Sequence, residues 1–157
     1  MPTKIIKGQC SCGQSQFELE GDALFRIICH CNICQKYNRN KYADNTVFKV
    51  KSMQMTTPEN NIFEYHRRPQ MVARGRCSQC NMPTVEKFTA IANSNIVIIP
   101  NTNLSDEHLL KLPAAHICYA SRQLDIDDKI KKYNSDLMSQ LAFSWILFKT
   151  YFFNSTN

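Results

Sequence analysis

Three cysteines fall within six positions at Cys29-His30-Cys31-Asn32-Ile33-Cys34, and this stretch constrains the chain more than any other. The apolar run from Leu24 to His30 reads as a strand, which would point Cys29 and Cys31 to one face and His30 to the other. A turn after Cys31 then brings Cys34 back toward the same point. Sulfurs converging from so short a segment suit a soft, thiophilic cation such as zinc. Four protein ligands usually close a structural zinc site, whereas three leave a position open for water or substrate.

The 157 residues are enough for one domain with a hydrophobic core, yet few enough for a metal to act as a staple. Met1 to Gly8 carries lysines but no long apolar run of the secretory kind, so the expected location is cytoplasmic, with reduced thiols. Eight cysteines in a reducing compartment argue for metal over disulfides, and Cys-x-Cys spacing is poor geometry for direct bridging. Besides the central three, Cys10 and Cys12 near the start and Cys77 and Cys80 far downstream supply four thiolates. Together they could close a tetrahedral site and pin two distant hairpins, although seven thiols could also be divided otherwise.

The formal charge of +6 overstates the basic character. Seven thiolates around two zinc ions change it by −7 + 4 = −3, leaving +3 from +6. The cations are scattered, with only the pairs Arg67-Arg68 and Lys131-Lys132, which reads as a solvated surface and argues against nucleic acid.

Most of the chain reads as short strands. They run from Lys4 to Cys10, Gln16 to Glu20, Leu24 to His30, Thr46 to Val50, Gln70 to Arg76, Val85 to Ile91, Ile96 to Ile99 and His116 to Ala120. Met53 to Thr57 and Ile62 to Tyr65 look like a hairpin around Pro58-Glu59-Asn60-Asn61. Gln35 to Asn45 reads as a loop or short helix, and Ser105 to Lys111 as a short helix capped by Ser105. Gly13 and Asn81, after the outer cysteine pairs, are residue types that accept a left-handed turn.

These motifs together resemble the glutathione-dependent formaldehyde-activating enzyme (GFA) family. The resemblance lies in Gly8-x-Cys10-x-Cys12-Gly13, Cys29-His30-Cys31-x-x-Cys34, Cys77-x-x-Cys80, His116-Ile117 and Ser121-Arg122. It implies a mainly β fold of coiled sheets, the β-tent, with two zinc ions per chain. One is a structural zinc on Cys10, Cys12, Cys77 and Cys80, and the other a zinc on Cys29, Cys31 and Cys34. It also implies a carbon–sulfur lyase that joins glutathione to formaldehyde as S-hydroxymethylglutathione. The chain departs from the family pattern at Gln35, often arginine, at Tyr37-Asn38-Arg39-Asn40, where a glycine-containing stretch is common, and at Leu124, often tryptophan.

The chemistry fits three open-site cysteines, since zinc coordination stabilises a thiolate at neutral pH and positioning brings it to a carbonyl. Lys36 and Arg39, close behind Cys34, are candidate contacts for the carboxylates of glutathione; ordinary loop cations are the alternative. His30, His66, His108 and His116 lack paired metal-ligand spacing and read as structural or exposed, and Cys118 reads as a core residue in a strand. A non-catalytic zinc module that binds a protein partner is the competing function.

Leu137 to Phe153 has twelve apolar residues out of seventeen, but its longest apolar run is four. A membrane span needs about 20 mostly apolar residues. The tail therefore reads as a helix, packed on its own domain or on another subunit in a homo-oligomer. The division expected is a zinc domain over 1–136 and an apolar extension over 137–157.

Overall fold

A computed structural model gives the fold over residues 5–106 and 110–153. Eight strands are assigned there: β1 (Ile5–Gln9), β2 (Gln16–Cys29), β3 (Ala43–Met55), β4 (Asn61–Glu64), β5 (Val72–Cys77), β6 (Pro83–Phe88), β7 (Ile96–Pro100) and β8 (Pro113–Ile117). They form one curled sheet in the order β1-β2-β3-β7-β6-β5-β4. Every pair on that path is antiparallel, and β8 joins β2 in parallel. Two helices complete the fold, α1 (Asn32–Asn38) and α2 (Asp136–Phe153).

The two strands expected at Gln16 to Glu20 and Leu24 to His30 are one long strand with a fold in it. Register shifts fall between Glu20 and Gly21 and again between Ala23 and Phe25. Gly21 makes the first shift possible, because a Cβ there would lie 2.3 Å from the carbonyl oxygen of Lys49. The shifts turn the strand over. Phe17 and Leu19 therefore join Phe48, Val85, Val97 and Ile99 in one core, whereas Phe25 and Ile27 join Val47, Ile96 and Ile98 in a second. β7 feeds both cores and is buried along its whole length.

Helix α2 covers the second core with Phe143, Ile146, Leu147 and Tyr151. Phe143 meets Phe25 edge to face at 5.5 Å between ring centroids. The opposite side of α2 exposes Leu137, Met138, Leu141, Trp145, Phe148, Phe152 and Phe153. No helix among the described residues is long and apolar enough to cross a membrane.

The expected hairpin of Met53 to Thr57 with Ile62 to Tyr65 does not form. Pro58–Asn60 continues as a 3-10 turn, and β4 pairs with β5 instead of β3. Asn60 directs this crossing: its carbonyl accepts from Ser78 N at 2.9 Å and its Nδ2 donates to the Gln14 carbonyl at 2.8 Å. The last strand also ends early. Cys118 follows β8 in a left-handed conformation (φ 53°) and leads into a 3-10 turn at Tyr119–Ser121, so it lies at a corner and not in a strand. The helix expected from Ser105 to Lys111 spans residues 107–109, and His108 with it, outside the described residues.

Candidate metal centres

The curl of the sheet brings β1, one end of the strand order, against β5, next to the other end. At that meeting the sulfurs of Cys10, Cys12, Cys77 and Cys80 all lie within 4.8 Å of one another. The Cys10 and Cys12 sulfurs are 3.5 Å apart, and those of Cys12 and Cys77 3.9 Å. Four sulfurs around a zinc with bonds of about 2.3 Å would be about 3.8 Å apart, so this set fits a tetrahedral thiophilic ion.

Two similar turns build the cluster. Gly13 N donates to the Cys10 carbonyl and Asn81 N to the Cys77 carbonyl, both at 2.9 Å. Gly13 (φ 75°) and Asn81 (φ 59°) are both left-handed, as their residue types suggest. Ser15 Oγ donates to Asn61 Oδ1 at 2.8 Å, tying the first turn to the second hairpin. Burial raises the Cys10 thiol, but the Ser15 amide and Cys12 outweigh it and bring the group down to about 7.

The second cluster stands where β2 hands over to α1. Cys29 closes the strand, Cys31 is the N-cap of α1 and accepts from Cys34 N at 3.3 Å, and Cys34 lies in the first helical turn. Their three sulfurs lie within 4.8 Å of one another, and Cys29 and Cys34 are buried. Cys118 is beside them: it packs on the cluster and lines the same cavity. The thiols of Cys118, Cys29 and Cys34, in that order, hold Cys31 well below the ordinary thiol range, while Cys29 is pushed up. Thiols this crowded can all ionise only around a compensating cation. The donor set fits zinc. No sequence pattern marks Cys118 as a member, because its place depends on β8 lying parallel to β2 and on the left-handed corner.

A cavity of about 480 Å³ opens beside this cluster. Cys29, Cys31, Cys34 and Cys118 line one side, while Ser139, Gln140 and Phe143 of α2 line another. Lys36 and Arg39 lie elsewhere. With Gln35, Asn40, Lys41 and Gln123 they border a shallower hollow of about 620 Å³, and Asn32 borders both spaces. Gln35 is buried and fully used: its Nε2 donates to the carbonyls of His30 at 2.6 Å and Ser121 at 2.8 Å, and its Oε1 accepts from Gln123 at 2.6 Å. These bonds tie α1 to the end of β2 and to the segment that follows β8.

His30 points away from the sulfurs, as its alternation predicts. His30 Nε2 and His116 Nδ1 are 2.9 Å apart, and His116 Nε2 lies 2.9 Å from Asp128 Oδ2. With Asp128 as acceptor, His116 carries its proton on Nε2, so His30 Nε2 must donate to His116 Nδ1. Burial, and then the neighbours His116, Arg122 and Lys132, push His30 down to about 4, which keeps it neutral. This row braces Cys29–Cys31 from behind, from inside the fold.

The fold and the clusters together define a class: a mainly β scaffold of one curled, largely antiparallel sheet bearing two cysteine clusters that could each hold a thiophilic metal ion. Residues 5–121 match the family model described as glutathione-dependent formaldehyde-activating enzyme, GFA, and the chain belongs to that family. Among solved structures it is similar to the crystal structure of a Rhodobacter sphaeroides protein from a structural-genomics programme. That likeness has a TM-score of 0.51 and 16% identity, covering 68% of this chain and 97% of the other, and it speaks for the fold alone. No curated protein matches the chain.

Proposed function

We propose that this protein is a zinc-dependent carbon–sulfur lyase that joins glutathione, or a related thiol, to formaldehyde or another small aldehyde. The observation that carries this reading is the three-sulfur cluster of Cys29, Cys31 and Cys34 on the wall of a cavity of about 480 Å³. A zinc ion held there with one position open would keep an incoming thiol ionised at neutral pH. Cys10, Cys12, Cys77 and Cys80 would hold a second, structural zinc that fastens the ends of the sheet.

The balance of the reaction is simple. The thiol loses its proton, its sulfur forms a bond to the carbonyl carbon, the C=O π bond breaks, and the oxygen takes up a proton as a hydroxyl. The chain's own part is to hold the two reactants together out of bulk water. Asn32 lies between the deep cavity and the shallow hollow, so a thiol tripeptide can reach the cluster with its sulfur while its carboxylates meet Lys36 and Arg39. In this reading residues 1–136 hold both centres, and the extension over 137–157 contributes α2 as the far wall of the cavity. A cytoplasmic location, where thiols stay reduced, suits cysteine clusters that hold metal.

Cys118 favours a second reading. If its sulfur joins Cys29, Cys31 and Cys34 on the metal, the shell is closed by four thiolates and the protein is a non-catalytic binding module.

The test is proton NMR of glutathione and formaldehyde with and without zinc-loaded protein, combined with X-ray absorption at the zinc edge. Faster formation of the hydroxymethyl thioether, together with a gain of sulfur at the metal on adding glutathione, supports the lyase. A four-sulfur shell without glutathione, reduced to three by Cys118→Ala, would replace it with the binding module.

A further inference from the structure

The cavity beside the three-cysteine cluster has a polar end with unsatisfied protein atoms. Arg74 on β5 pairs across the sheet with Glu86 on β6, and Arg74 Nε lies 3.2 Å from Glu86 Oε2. Both residues line the cavity, as does Asn45 of β3. Glu86 is 2% exposed and Asn45 4%. Yet Glu86 Oε1 and Asn45 Oδ1 have no hydrogen-bond partner, and Arg74 Nε meets the carboxylate without a well-aligned hydrogen bond.

Buried polar groups are nearly always paired, and an ion pair kept only for structure would use both carboxylate oxygens. Three incompletely bonded groups on the wall of one cavity mark a place prepared for a polar ligand atom. The metal cluster is close by, since Cys29, Cys31 and Cys34 line the same cavity.

We propose that Glu86 is a catalytic residue, the proton donor to the aldehyde oxygen, with Arg74 Nε donating to that oxygen and Asn45 Oδ1 accepting from the hydroxyl once it has formed. This deepens the thiol–aldehyde reading and rests on it. As the sulfur bonds to the carbonyl carbon, the C=O π electrons move to oxygen, and the Glu86 carboxyl gives that oxygen its proton. The resulting carboxylate is stabilised by Arg74 beside it. The proton lost by the thiol returns to Glu86 through solvent, which closes the balance; in the reverse direction Glu86 accepts the hydroxyl proton.

The donor must begin protonated, and its surroundings favour that. Burial raises its carboxyl to about 7, against the pull of Arg74 and with a further push from Cys31. The charged or titratable groups around it are Arg74 from β5, Tyr37 from α1, and Cys31 and Cys34 at the head of α1.

The test uses the full, zinc-loaded chain and its Glu86→Gln variant. The expected result is unchanged zinc content and glutathione binding, with addition to formaldehyde slowed by about 100-fold or more. The wild-type loss of rate at high pH should also disappear. Glu86→Ala with added formate is the second arm, because a small carboxylic acid entering the vacated space should restore rate in that variant and not in wild type. Full activity in Glu86→Gln, or absence of formate rescue, overturns the proposal while leaving the lyase standing. A wild-type protein that does not accelerate addition removes both.

Discussion

The backbone N–H of Cys118 donates to Ser139 Oγ at 2.7 Å, and through this bond the C-terminal helix holds the corner that places a fourth thiol beside the metal cluster. Ser139 is 1% exposed and its hydroxyl also donates to the Tyr133 carbonyl at 3.2 Å. Removing it leaves a buried amide without its acceptor. Ser139→Ala should therefore lower stability by about 1–3 kcal/mol, measured by thermal or denaturant unfolding. It should also loosen Cys118, seen as faster alkylation of that thiol in zinc-loaded protein. An unchanged alkylation rate would show that β8 alone sets the corner.

The two cysteine clusters should respond differently to loss of a ligand. Cys80→Ser opens a cross-link between β1 and β5, whose strands are far apart in sequence, and should unfold or aggregate the chain. Cys34→Ser lies at the head of a short helix already fastened by Gln35 and Tyr37, whose hydroxyl donates to the Gly75 carbonyl. It should empty one site and leave a folded protein with one zinc. Metal analysis and circular dichroism on both variants decide the matter, and equal loss of fold would abolish the division into structural and functional centres.

Helix α2 has two apolar faces with different duties. Phe143→Ala removes the ring that packs on Phe25 and should cost about 2–4 kcal/mol. Trp145, 65% exposed on the other face, stacks on Phe148 of the same helix at 6.1 Å between ring centroids, so Trp145→Lys should leave stability within about 0.5 kcal/mol. If that face joins subunits, as an exposed stripe of Met138, Leu141, Trp145, Phe148 and Phe152 suggests, the same variant should shift sedimentation toward monomer. A monomeric wild type ends the oligomer reading without touching the first part of the prediction.

Local features were legible in the sequence because local chemistry determines them. Cysteine spacing drew Cys29, Cys31 and Cys34 together, while the grouping of Cys10 and Cys12 with Cys77 and Cys80 came from the family resemblance; Gly13 and Asn81 pointed to the left-handed turns, and apolar patterning found β1, both halves of β2, β7 and the tail helix. Family motifs pointed to the mainly β fold that residues 5–121 share with GFA proteins. Tertiary structure decided what lies far apart in the chain but close in space. The pairing of β4 with β5 and not β3 follows from where Asn60 is held, 46 residues along from Gln14. The bond between β2 and β8 creates the place beside Cys29 and Cys31 that Cys118 occupies. In the sequence Glu86 is one residue of the strand expected from Val85 to Ile91. Only the closure of β5 against β6, with α1 above them, buried its carboxyl beside Arg74 and within the cavity. Periodicity reports which face of a strand a residue takes, whereas the partner waiting on that face depends on register and curl, and these are set by the whole sheet at once.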